Sequence, residues 1–225
     1  MSNFLKYLVT LFVKPVLSIY LKKERIFHYK NLELLILRGI FHPNFFFSSK
    51  YLAAFVEKLN VTGKTFCEPC AGSGLISFIA LRNGASVTCF DINTNAIKGI
   101  QLNLQRNSEH LKSQKITAIE SDLFSNIPPQ QFDFIVLNPP YFFSDYSNVE
   151  QAAWNAGENG AFFITFFTQL KDYTNKNSEI YMVLADNCDI KRITNIAKDI
   201  QWKLLLIEQK QILWETNYIY SIQLL

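Results

Sequence analysis

Strands and helices alternate from residue 48 to the end of the chain, and that alternation restricts the fold more than any other feature. "SSKYLAAFVEKLN" (48–60) places Leu52, Phe55, Val56 and Leu59 on one helical face behind a serine cap. "KTFCEP" (64–69) reads as a strand, "GLISFIALRNG" (74–84) as a helix closed by Gly84, and "ASVTCFD" (85–91) as a second strand. "TNAIKGIQLNLQRN" (94–107) returns to helical spacing, and strands "KITAIE" (115–120) and "FDFIVL" (132–137) follow. Beyond them come an aromatic helix around 161–171, strand "EIYMVL" (179–184), a helix near 190–199 and strands near 202–208 and 216–225. Strands joined by helical crossovers lie parallel, with helices on both faces of the sheet. Only a short turn around Trp214 separates the last two strands, so the final one is expected to run antiparallel.

The α/β pattern leaves residues 1–45 as an N-terminal appendage to a domain over 46–225, with "HPNFFFSS" (42–49) as the junction. A chain of 225 residues holds one well-buried domain of this type. The appendage is basic: Lys6, Lys14, Lys22, Lys23, Arg25 and Lys30 face a single Glu24, whereas the whole chain carries only +3, so the rest is net acidic. Interleaved Phe4, Leu5, Leu8, Leu11, Phe12, Val16, Leu17 and Tyr20 suit an amphipathic helix. Such a helix packs on the domain or makes peripheral contact, through residues 1–30, with a membrane, an RNA or a ribosome. No uncharged run there exceeds seven residues, where a membrane span needs about 18. Lys14 and Pro15 also interrupt any signal-peptide core.

With no export signal, Cys67, Cys70, Cys89 and Cys188 imply a reduced, cytoplasmic setting. Cys67 and Cys70 form a C-x-x-C, but without a second close pair or a helix opening on the motif they read as small buried residues; no metal is expected. His28, His42 and His110 are isolated, as surface or junction residues.

"EPCAGSG" (68–74) follows a strand and opens a helix. Gly72 and Gly74 permit a turn without Cβ interference, so a ligand can lie against main-chain amides at a helix N-terminus. Asp91 ends the next strand 17 residues beyond Gly74, where a carboxylate can accept both hydroxyls of a ribose. Asp122 follows the third strand in the same row and can read an adenine edge. Taken singly, the glycines could form an ordinary turn and Asp91 could cap the helix from Thr94. A dinucleotide fingerprint would need glycine where Ser77 stands.

Over residues 48–225 the chain resembles the class I S-adenosylmethionine-dependent methyltransferases, which carry this glycine turn, these acidic strand ends and, after the fourth strand, an "NPPY" motif. The resemblance implies a Rossmann-like sheet with S-adenosylmethionine bound by Glu68, Ala71, Gly72, Ser73 and Gly74, by Asp91 with Ile92, and by Asp122 with Leu123. Asn138 is expected to face both cofactor and methyl acceptor, and Asn138, Pro139, Pro140 and Tyr141 to be the catalytic group.

The two prolines have a physical reading. They fix φ and donate no hydrogen bond, so Asn138 is held extended and the Pro139 carbonyl is left to accept. The Asn138 amide oxygen and that carbonyl can take both N–H groups of a planar –NH₂, stabilising the more positive nitrogen that forms as a methyl arrives, with no strong base. Tyr141 is expected to offer a flat stacking face, and Phe142 and Phe143 to exclude water. A cysteine nucleophile at Pro69-Cys70 is disfavoured, because it would be needed where Asn138 stands.

"NPPY" is shared by glutamine methyltransferases of release factors and by adenine, and in a close variant guanine, amino methyltransferases of nucleic acids. "AWNAGENGAFF" (153–163) and, loosely, "FHPNFFFSSKYL" (41–52) resemble the HemK-like glutamine enzymes, with Ala156 in place of a first glycine. "AGSGLI" with "NPPYF" also resembles small transfer-RNA adenine methyltransferases, and the basic N-terminus suits phosphate contact. The expected partner is therefore a release-factor-like protein or a structured RNA, with a catalytically idle cofactor-fold binding protein as the alternative of another class.

Overall fold

The computed structural model describes residues 23–44, 47–111 and 115–225. It opens on a hairpin, β1 (Arg25–Tyr29) and β2 (Leu32–Ile36), paired antiparallel with Tyr29 opposite Leu32. Lys30 makes the turn at φ 54°. A helical appendage was the expectation, and residues 25–36 differ from it for a plain reason: Phe27, Leu32, Leu34 and Ile36 alternate with more exposed neighbours and are buried on one face. The amphipathic helix and most of the contact surface expected over residues 1–30 lie outside the described residues.

Helix α1 (Phe47–Val56) leads into β3 (Thr65–Pro69), α2 (Leu75–Arg82), β4 (Ser86–Asp91), α3 (Thr94–Arg106) and β5 (Ile116–Glu120). Then come β6 (Phe134–Leu137), the short α4 (Val149–Ala152), α5 (Ala161–Leu170), β7 (Glu179–Ala185), α6 (Ile190–Asp199), β8 (Trp202–Ile212) and β9 (Glu215–Leu224). The seven later strands form one sheet in the order β5-β4-β3-β6-β7-β9-β8. Pairing from β5 through β7 is parallel, and β9 runs antiparallel to both β7 and β8. The expected sheet, including its antiparallel last strand, is present.

The sheet carries a core on each face. Phe66, Val87, Cys89, Phe134, Val136 and Val183 pack under α1, α2, α3 and the hairpin. Cys67, Phe90, Ile135, Leu137, Met182 and Leu184 pack under α5 and α6. The central strands β6 and β7 are buried on both sides, which is why they read as apolar runs. Because Phe27, Leu32, Leu34 and Ile36 belong to the first of these cores, the boundary expected at 45/46 is not a break in the packing.

Two asparagines on α3 join the hairpin to the domain. Asn103 accepts from the Leu35 N–H at 2.7 Å and donates to the Leu35 carbonyl at 3.0 Å. Asn107, one turn on, does the same for Glu33 at 2.9 and 2.8 Å. Both side chains are buried, so a ladder of amides stands in for the neighbouring strand that β2 lacks. Among the described residues, no helix is long and apolar enough to cross a membrane.

Candidate active site

Parallel strands place their C-terminal ends on one edge, and there the chain changes from apolar to polar. β3 ends in Glu68 and Pro69, β4 in Asp91, β5 runs on to Ser121 and Asp122, and β6 runs on to Asn138. These ends border a cleft of about 1120 Å³, its open mouth included. Every residue expected to hold the cofactor or to form the catalytic group lines it except Gly74.

Gly74 has a different task. It sits at φ 74° at the start of α2, and a Cβ there would come within 2.7 Å of Ile100 Cγ1. It lets α2 pack closely on α3. Gly72, at φ 50°, does face the cleft, and a Cβ on it would meet nothing nearer than 4.0 Å. Space for a ligand therefore lies directly against the turn.

Main-chain amides hold the Asp91 carboxylate in place. Gly72 N–H donates to Oδ2 and Asn93 N–H to Oδ1, each at 2.8 Å. Burial raises its pKa, and these two hydrogen bonds oppose the rise. Each oxygen keeps a lone pair for a hydroxyl group. Glu68 is buried deeper and accepts both the N–H and the hydroxyl of Ser77, the N–H at 2.7 Å. Burial outweighs those bonds and lifts its pKa from 4.5 to about 8. Asp122 is exposed within the cleft, after a chain reversal in which Leu123 takes φ 47°.

No described residue lining the cleft is a lysine, arginine or histidine. A pyrophosphate would find carboxylates and no counter-charge, whereas a sulfonium would be favoured. The residues present, acidic and without a cation, therefore fit the sulfonium of S-adenosylmethionine.

Asn138 leaves β6 into the two prolines, and among the described residues no group donates to the Pro139 carbonyl. Tyr141 lines the cleft but differs from expectation: it is 7% exposed, and its hydroxyl donates to Asn138 Oδ1. Its N–H and that of Phe142 both donate to the Trp154 carbonyl, at 3.0 and 2.9 Å, so the partly matched segment 153–163 serves to fasten the motif. Phe142 and Phe143 do not line the cleft. Phe142 is 42% exposed, and Phe143 is stacked on Phe163 under the Arg192 guanidinium. The large apolar side chains that do line it are Phe41, Tyr146, Val149, Trp154 and Phe162.

Cys70, expected to be a small buried residue, is half-buried. It adopts φ 56° and borders the cleft, with its thiol pKa pushed well above 9 by burial and then by Asp91 and Asp122. A neutral thiol in that setting is no nucleophile. His42, expected at the surface or junction, is buried at the junction against Phe27. Ser49, contributed by α1, and Tyr146 were not anticipated. Ser49 is hidden in a helix-cap serine pair, and Tyr146 in a loop without periodicity.

The sheet and its polar edge define a Rossmann-like S-adenosylmethionine-dependent methyltransferase. More narrowly, residues 32–201 match the methyltransferase small domain family, and the chain belongs to that family. It is 43% identical over 75 residues to the ribosomal protein uL3 glutamine methyltransferase of Francisella tularensis, covering 32% of this chain and 23% of that one. It is 30% identical over 93 residues to the release factor glutamine methyltransferase of Clostridium botulinum, covering 40% of this chain and 32% of that one. The chain thus matches a third or less of the length of these relatives. In fold it is similar to the T. thermophilus 16S rRNA N2 methyltransferase in complex with AdoMet and guanosine, with a TM-score of 0.59, 18% identity, and 88% and 50% of the two chains covered.

Proposed function

We propose that this chain methylates a planar amino nitrogen, and that its acceptor is the side-chain amide of a protein glutamine. The observation that carries the reading is the meeting, in one cleft, of Asn138 and Pro139 with the fixed Asp91 carboxylate and the open side of Gly72. S-adenosylmethionine, when bound, supplies an electrophilic methyl carbon on a sulfonium. The chain's own residues do the rest. Asn138 Oδ1 and the Pro139 carbonyl accept the two N–H groups of the target, fix its plane and favour positive charge on its nitrogen. Once methylated, that nitrogen is acidic enough to release a proton to water, so no protein base is needed.

A protein acceptor is favoured over RNA by charge. The cleft is bordered by Asp91 and Asp122 and by no described cationic side chain, an unfavourable approach for a phosphate backbone. Two of its relatives are named as glutamine methyltransferases. The competing reading, an exocyclic amine of adenine or guanine in RNA, draws on the fold shared with an enzyme solved with guanosine. Incubation with tritiated S-adenosylmethionine and either total protein or total RNA separates them. Label in the protein fraction, recovered as methylglutamine after digestion, is expected; label confined to RNA overturns the glutamine acceptor.

A further inference from the structure

The Asn138 amide is held at both ends. Its Oδ1 accepts the Tyr141 hydroxyl, and its Nδ2 donates to the Ser49 hydroxyl at 3.3 Å. Tyr141 is 7% and Ser49 8% exposed, so bulk water competes poorly for either bond. Burial also pushes the Tyr141 hydroxyl well above the usual phenol range, which keeps it a donor.

An amide has a donor end and an acceptor end of nearly the same shape. Rotated by half a turn, Asn138 would point Nδ2–H where the target presents its own N–H groups, and two donors would face each other. The unrotated amide uses one Oδ1 lone pair for Tyr141 and keeps the other for the target. Both hydroxyls can exchange donor and acceptor roles, so the two contacts fix the place of the amide group, and the target's N–H groups select its oxygen end. The tyrosine's own backbone is anchored by its N–H on the Trp154 carbonyl at 3.0 Å.

We infer that Tyr141 and Ser49 are positioning residues that hold the Asn138 amide in place at the methyl acceptor. The tyrosine hydroxyl then serves the reaction in addition to the ring, and helix α1 becomes part of the active site through Ser49. This rests on the methyl-transfer reading above.

The test uses the full chain and the variants Tyr141→Phe, Ser49→Ala, Ser49→Thr and Asn138→Asp. The first readout needs no acceptor: ¹⁵N spectra of the side-chain amides, with the Asn138 pair identified by its loss in Asn138→Asp. Tyr141→Phe and Ser49→Ala are each expected to shift that pair and speed its exchange with water, while affinity for S-adenosylhomocysteine changes less than about twofold. The second readout is transfer of tritium to cell-extract protein and RNA. Tyr141→Phe is expected to slow turnover by about tenfold or more at unchanged KM for the cofactor, Ser49→Ala less so, and Ser49→Thr to recover most of the rate. An unshifted amide pair together with full turnover in Tyr141→Phe overturns the positioning role. No tritium transfer by the wild type to either fraction instead overturns the methyl-transfer reading, and the spectra then still decide whether the amide is held.

Discussion

At the scale of single residues, the site combines a carboxylate kept ionisable by main-chain amides with one that burial keeps protonated. Asp91 accepts from Gly72 and Asn93, while Glu68, packed beneath the turn, has its pKa raised from 4.5 to about 8. Below pH 4.5 the folded and unfolded chains both hold the Glu68 proton. Between 4.5 and about 8 only the folded chain holds it, so stability falls as pH rises through that window, and above it the full cost of burying the charge is present. Glu68→Gln should flatten this slope. Thermal midpoints of both proteins from pH 5 to 8.5 check it: wild type should lose more on going alkaline, and parallel curves would mean that Glu68 ionises as in water.

At the scale of elements, the hairpin is fastened by α3 and by the ion pairs around Glu57. Glu57 accepts from Lys30 at 2.6 Å and Arg82 at 2.7 Å, and Arg82 also reaches Asn31 in the hairpin turn. Asn103→Ala removes two hydrogen bonds and strands a part-buried N–H and carbonyl of Leu35, a loss of about 2 kcal/mol. Chemical denaturation should show it as a lowered midpoint; a change under about 0.5 kcal/mol would mean that water replaces the amide. Most elements were legible in the sequence because apolar spacing and strand-to-helix turns agreed. The hairpin was not, although Phe27 and Tyr29 alternate into Leu32, Leu34 and Ile36 around Lys30-Asn31, because basic residues and a long apolar approach suggested a continuous helix. The strand-like contacts of Asn103 and Asn107 had no sequence signal, since an amide facing a distant backbone looks like any polar helix residue.

For the molecule as a whole, a doubly covered parallel sheet brings residues far apart in sequence to one edge, and the cleft is made by that convergence. Glu68, Asp91, Asp122 and Asn138 were readable because each terminates a recognisable strand. Tyr141 was readable as part of the site but not in its orientation, which depends on a hydroxyl contact across the two prolines and on the Trp154 carbonyl. Ser49 required the three-dimensional approach of α1 to the end of β6. The most direct measurement pairs Asn138→Ala with calorimetry of S-adenosylmethionine binding and tritium transfer to the acceptor fraction. Transfer should fall by about a hundredfold or more while cofactor affinity changes by less than about threefold. Transfer at the wild-type rate in that variant would contradict an acceptor grip built on Asn138 and Pro139.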